Sequence, residues 1–199
     1  MRILAYTALL PAAATFYFLV FWRWFDFWRR HRVATYALMF ASVVGLGLAI
    51  HLGRGSVFAG RLPLPVAVKV LGWLVVVVSV VFGSWADRQI GLRVRSFTPF
   101  FETHGRIRLV TSGAYAVVRH PIYASGIFYQ LGVFGVSGFP SVLVAGLVFG
   151  LGALWFTRQE ERRLVALLDD PSEYERYRAR VPALVPRFGR ARRRGRGDT

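Results

Sequence analysis

Apolar residues gather along this chain in long runs, separated by short stretches rich in arginine. Five runs stand out: Ile3 to Trp22, Val33 to Leu52, Leu64 to Ala86, Pro121 to Val136 and Phe139 to Phe156. A bilayer core about 30 Å thick needs roughly 20 apolar residues at a helical rise of about 1.5 Å each. Each run therefore reads as a transmembrane helix. The first has too long an apolar core for a signal peptide, and an arginine- and aromatic-rich loop follows it. The fourth and fifth are joined only by "SGFP", a link short enough to force an antiparallel helical hairpin.

Beyond Phe156 the pattern changes. Glu160, Leu164, Leu167 and Leu168 keep helical spacing, which carries the fifth helix out of the apolar layer. "DDPSEYE" then interrupts it. Asp170 suits an N-cap with Pro171 at the first helical position; Ser172 with Glu175 is an alternative capping box. The short helix that follows carries Tyr174, Tyr177 and Val181 on one face and ends before Pro182. The tail "RFGRARRRGRGDT" has no apolar period and reads as disordered. The chain thus divides into three N-terminal spans (1–86), a core of connector, hairpin and C-terminal helices (87–186) and a basic tail (187–199).

Charge sets the orientation. The net charge is +16, and Lys69 is the only lysine among the basic residues. Arg23, Arg29, Arg30 and Arg32 crowd the first loop; six more arginines lie between Asp87 and His120, and twelve after Phe156. The other side holds only Arg2, Arg54 and Arg61. Five spans with an outside N-terminus place every arginine-rich segment in the cytoplasm. The expected fold class is an all-α integral membrane protein of about five transmembrane helices, with a cytoplasmic C-terminal helical region. Nucleic-acid binding does not fit, because the basic residues flank spans and no nucleic-acid motif is present. With no cysteine, disulfides, thiolate metal sites and cysteine nucleophiles are excluded. No HExxH spacing occurs, His31 and His104 lie far apart in loops, and His51 sits within a span.

The candidate chemistry sits where three polar features meet on the expected cytoplasmic side: the "RHPIY" threshold of the fourth span, the "EE" exit of the fifth and the tyrosine-rich last helix. Arg119, His120, Tyr123, Glu160, Glu161, Tyr174 and Tyr177 can line one pocket there. Each has a plainer reading. Arg119 suits a positive-inside anchor, His120-Pro121 a helix start, the tyrosines an interfacial belt. Glu160 and Glu161 can pair with Arg158 or Arg163 on a solvated helix.

Taken together, "LVTSGAYAVVRHPIY", "EERRL" and "EYERYRARVPALVP" resemble the isoprenylcysteine carboxyl methyltransferase and phospholipid methyltransferase superfamily of integral membrane enzymes. The resemblance runs from Leu109 to Pro186; the first three spans match only as hydropathy. It implies S-adenosylmethionine bound on the cytoplasmic side and a lipophilic acceptor entering from the bilayer. The positions that carry over as cofactor-binding are Tyr115, His120, Pro121, Tyr123, Glu160, Tyr174 and Tyr177, with Arg119 and Glu161 as catalytic candidates. Ala114, Ser125 and "DDPS" depart from the usual pattern.

The residues suit such a ligand. A glutamate can hold an ammonium or ribose hydroxyls, a tyrosine face can hold a sulfonium, and His120 with exposed backbone N–H groups at a helix start can hold a carboxylate. Arg119 can orient an acceptor carboxylate or phosphate, while Glu161 or His120 is the candidate base for an amine acceptor. On a helix Arg119 and His120 point about 100° apart, so His120 is expected to face the cofactor and Arg119 the acceptor. The expected reaction is methyl transfer to a lipophilic or prenylated substrate, with a carboxylate as acceptor. Phospholipid N-methylation is the alternative. A membrane reductase and a non-enzymatic scaffold are more distant ones.

Overall fold

The structure is a computed structural model that describes residues 1–95 and 109–187. The connector between 96 and 108 and the basic tail from 188 lie outside the described residues. Among those described, every regular element is helical: α1 (Arg2–Leu9), α2 (Ala12–Arg23), α3 (Phe25–Arg30), α4 (Arg32–Leu52), α5 (Arg54–Val57), α6 (Val66–Arg95), α7 (Ala114–Val117), α8 (Pro121–Ser137), α9 (Pro140–Leu167) and α10 (Pro171–Arg180). The chain is an all-α membrane protein.

Four stretches among the described residues are long and apolar enough to cross a bilayer: Arg2–Arg23, Arg32–Leu52, Val66–Ile90 and Pro140–Ala166. The fifth expected span, α8, has 17 residues, about 25 Å of helix, and falls short of them. Its ends explain its length. Pro121 starts it and Gly138, at φ 71°, stops it. The third helix, expected to end near Ala86, continues unbroken to Arg95, because polar side chains end an apolar run without ending a helix.

The first span is not one straight helix. It breaks at Leu10–Pro11 between α1 and α2. Carbonyls in the last turn of a helix have no partner of their own. Here the Ala8 carbonyl accepts a hydrogen bond from Gln130 Nε2 at 2.8 Å, and the Thr7 hydroxyl pairs with Tyr129 at 2.7 Å. A neighbouring helix thus satisfies one carbonyl that the break leaves open, as an apolar layer requires.

The bundle is built on α8. It packs antiparallel to α6 over most of its length, through glycine: a Cβ on Gly132 would sit 2.9 Å from the Gly72 carbonyl oxygen, and one on Gly72 would sit 2.8 Å from that of Gly132. Bare backbones meeting this closely gain dispersion contact where no hydrophobic effect operates. α8 also packs antiparallel to α9, as the short link demands; Phe149 lies against Gly126 and Gln130 against Gly146. α2 runs alongside α9, with Thr15 against Gly152 and Phe18 stacked on Phe156 at 4.1 Å. These contacts gather the α2–α4 loop, the start of α8, the end of α9 and α10 at one end of the bundle. Phe58 meets Tyr6 and Phe139 at the opposite end. Among the described residues the arginines therefore share an end, apart from Arg2, Arg54 and Arg61.

Candidate functional site

The threshold of α8 is shaped by what precedes it. Gly113 takes φ 60°, and the Gln89 amide of α6 fills the place its Cβ would need. Gln89 Oε1 accepts from the Ala114 N–H at 2.9 Å. One turn of α7 follows, and then the backbone extends at Val118 and stays non-helical through His120 (φ −124°, ψ 66°). Extension turns the N–H groups of Arg119 and His120 outward. They donate to the carbonyls of Pro182 at 2.8 Å and Ala183 at 3.0 Å. Leu184 follows into a small core with Val118 and Ala124. The segment after α10 is thus fastened across the helix start. Those two N–H groups are therefore taken, and the N-terminal donors left to α8 are first-turn groups such as Ile122 and Tyr123.

The extended backbone corrects an expectation. Arg119 and His120 do not diverge as neighbours on a helix would. Arg119 Nε and His120 Nε2 both reach Glu161 Oε1, at 3.0 and 2.9 Å. Arg119 also donates to the carbonyls of Arg178, at 3.3 Å, and Val181. Its guanidinium is therefore spent on the protein, and no fork remains for an acceptor. The side chains of Arg119 and Glu161 are 10% and 12% exposed, so the pair is a desolvated tie between α8, α9 and α10. The plainer pairing of Glu161 with Arg158 or Arg163 does not form; beyond the threshold its other cationic neighbour is Arg178, at 3.9 Å.

Glu160 behaves differently. Its side chain is 47% exposed and lies 3.7 Å from His120 Nδ1. His120 therefore stands between two carboxylates, one tied and one open.

The tyrosines separate likewise. Tyr174 and Tyr177 are buried, with Tyr174 against Arg119 and Glu161. Tyr177 donates its hydroxyl to the Tyr115 carbonyl at 2.7 Å. Burial, outweighing the Arg119 charge beside it, pushes the Tyr177 phenol up to about 12. The Tyr115 phenol is raised by burial and then by the Glu160 charge, and Tyr174 by burial and then by Glu161. All three are neutral at ordinary pH. α10 is pinned by its start as well: the Asp170 carboxylate caps it by accepting from the Ser172 N–H at 2.9 Å. Of the two caps the sequence allows, the aspartate is the one used. Pro121 is buried at the first position of α8.

Tyr123 is half-buried and faces aromatic company. His120 lies 6.1 Å away, Phe156 6.0 Å and Phe18 6.0 Å between ring centroids. Trp22 continues the wall against Phe156 and Trp155. Phe18 and Trp22 are site neighbours that the sequence did not single out. Their signal was present, since "FYFLVFW" is the most aromatic part of the first span, but nothing local says which way it faces.

Residues 67–168 match the phospholipid methyltransferase family. The chain belongs to that family. The match takes in α6 as well as the threshold and the paired glutamates, and it stops short of Tyr174 and Tyr177. Among curated proteins the chain is 30% identical to a methanethiol S-methyltransferase of Crocosphaera subtropica, over 86% of this chain and 57% of that protein. It is 40% identical to a protein-S-isoprenylcysteine O-methyltransferase of Schizosaccharomyces pombe, over 39% of this chain and 33% of that one. It is 29% identical to the cobalt-zinc-cadmium resistance protein CzcN of Cupriavidus metallidurans, over 82% and 67%. The chain thus spans between a third and two thirds of the length of these relatives. No solved structure matches this family member.

Proposed function

We propose that the chain transfers a methyl group from S-adenosylmethionine to a lipophilic acceptor, at the arginine-rich end of the bundle and on the cytoplasmic side. The observation that carries this reading is the contrast between adjacent glutamates. Glu161 is tied by Arg119 and His120, while Glu160 stays open beside His120, whose ring lies 6.1 Å from that of Tyr123.

The residues present fit that cofactor. Glu160 offers an accessible carboxylate for an ammonium or for ribose hydroxyls. Tyr123 offers a π-face for a sulfonium, and the first turn of α8 offers N–H donors for a carboxylate. Bound there, S-adenosylmethionine would supply an electrophilic methyl group. The protein's share is placement and exclusion of water. Arg119 and Glu161 act as positioning residues, His120 fixes the direction of Glu160, and Phe18, Trp22 and Phe156 keep the neighbourhood apolar.

Because Glu161 Oε1 already accepts from Arg119 and His120, it is poorly placed to take a proton from an amine. That favours an acceptor that is an anion before it reacts, and the preferred one is a lipophilic carboxylate. The test has two arms. S-adenosylhomocysteine titrated into detergent-purified protein should bind, and Glu160→Gln should weaken that binding about tenfold, the worth of one charged hydrogen bond. Incubation with methyl-labelled S-adenosylmethionine and membrane lipid extract should give base-labile label, as an ester does. Base-stable label in lipid would point to N-methylation instead. Failure of the wild type to bind S-adenosylhomocysteine would leave the scaffold reading.

A further inference from the structure

A second polar cluster lies at the same end of the bundle, on the other side of the aromatic wall. The short helix α3 turns its Phe25 ring toward α9, and the Arg163 guanidinium sits over that ring, 3.7 Å from its centroid. Phe25 is itself 5.7 Å from Trp22. Arg29, one turn along α3, is close enough to Arg163 for the two charges to act on each other. Arg29 meets the Asp26 carboxylate at 3.5 Å, and that aspartate is 73% exposed. The Arg29 side chain is 22% exposed, yet its Nε is buried without a hydrogen-bond partner. A buried guanidinium N–H of this kind calls for an acceptor. Two guanidiniums converging in one partly desolvated place hold an anion far better than either does alone.

The surroundings indicate what kind of anion. Trp24 and Phe27, on either side of Phe25 and Asp26, are 55% and 50% exposed. Aromatic side chains of this kind settle at the level of lipid head groups. Arg30 and Arg32 continue the positive charge along the same loop. A free phosphate has no use for exposed tryptophan and phenylalanine, whereas a phospholipid places acyl chains beside them.

We propose that Arg29 and Arg163 form a binding site for the phosphodiester of an anionic phospholipid head group, with Trp24 and Phe27 against its acyl chains. The site is separate from the glutamate pocket and does not depend on the methyl-transfer reading.

The test is native mass spectrometry of the detergent-purified full chain, titrated with short-chain phosphatidylglycerol or phosphatidylcholine, with inorganic phosphate as competitor. The wild type should retain phosphatidylglycerol at least tenfold more tightly than phosphatidylcholine, and millimolar phosphate should not displace it. Arg29→Gln and Arg163→Gln should each cut that affinity about tenfold. Asp26→Asn removes a negative charge facing the anion and should raise affinity severalfold, which a merely structural role of the cluster would not do. Phe25→Leu keeps both guanidiniums and should stay within about threefold of wild type, so the proposal remains testable if Arg163→Gln does not fold. Equal retention of the two lipids, wild-type affinity in both arginine variants, or lower affinity in Asp26→Asn would overturn it. Ready displacement by phosphate would show an anion site that is not a lipid site, and would overturn the lipid assignment.

Discussion

Neighbouring side chains of the same type carry opposite duties here. Glu160 and Glu161 differ in sequence by one place and in environment almost completely. Breaking a desolvated ion pair from one side leaves the other charge stranded, at a cost of about 3–5 kcal/mol. Glu161→Gln should therefore lower stability by about that much in a denaturant titration in detergent, while Glu160→Gln should leave it within about 0.5 kcal/mol and alter only ligand binding. Tyr177 makes a separate prediction. Its pKa is raised in the folded state, to about 12 against a usual 10.0, so the stability it contributes is complete below about pH 10 and is lost as pH rises through 12. Tyrosinate absorbance should thus appear late in an alkaline titration, and together with unfolding. Tyr177→Phe should cost about 1 kcal/mol for the lost bond to the Tyr115 carbonyl. At this scale the polar letters at the start of α8 and the end of α9, which the sequence singled out beside apolar runs, do meet in the structure. The sequence did not disclose that Arg119 and His120 share one oxygen, because that follows from the extended backbone at Val118 and the non-helical turn at His120, which only a fastened C-terminal segment holds in place.

Among the helices, hydropathy was a good guide to existence and a poor one to ends. α6 outlasts its apolar run by two turns, and the Pro11 break in the first span is invisible to an average over 20 residues. The break is stable because Gln130 donates to the Ala8 carbonyl. Gln130→Leu should cost about 0.6–1.5 kcal/mol, the range of interhelical hydrogen bonds in membranes. Glycines offer a sharper contrast. Gly132→Ala drives a methyl into the backbone of α6 and should cost about 1–3 kcal/mol. Gly45→Ala on α4 meets nothing within 4 Å and should be neutral or stabilising by up to about 1 kcal/mol, through helix propensity. Thermal unfolding of the two variants side by side checks both. If Gly132→Ala unfolds with the wild type, α6 and α8 are not in contact as described.

For the whole molecule, the arginine count and the helix contacts agree from independent grounds. The count said which segments share a side; the packing of α2, α8 and α9 brings the described ones to one end. With no native cysteine, single cysteines report the arrangement cleanly. One at Gly55 should react with an impermeant thiol reagent applied to intact cells, and one at Ser172 should react only after permeabilisation. Equal labelling of the two would contradict the arrangement. α8 is the element on which hydropathy said least. Its apolar character is plain, yet it is shorter than the four candidate spans and is packed on by α1, α6 and α9, a central post more than a lipid-facing pillar.

The carbonyls of Pro182 and Ala183 that fasten the start of α8 also impose an order of events during synthesis. All the long helices precede them in the chain, so the bundle can be inserted and packed while those residues are still inside the ribosome. Until they emerge, the N–H groups of Arg119 and His120 lack their partners, and Arg119 lacks the Arg178 and Val181 carbonyls that orient it. On the proposed function, a nascent protein would thus pass through an inserted but chemically silent stage. A premature stop codon just after Leu168 would freeze it there, giving a product that fractionates with membranes, occupies the same bilayer and transfers no methyl group.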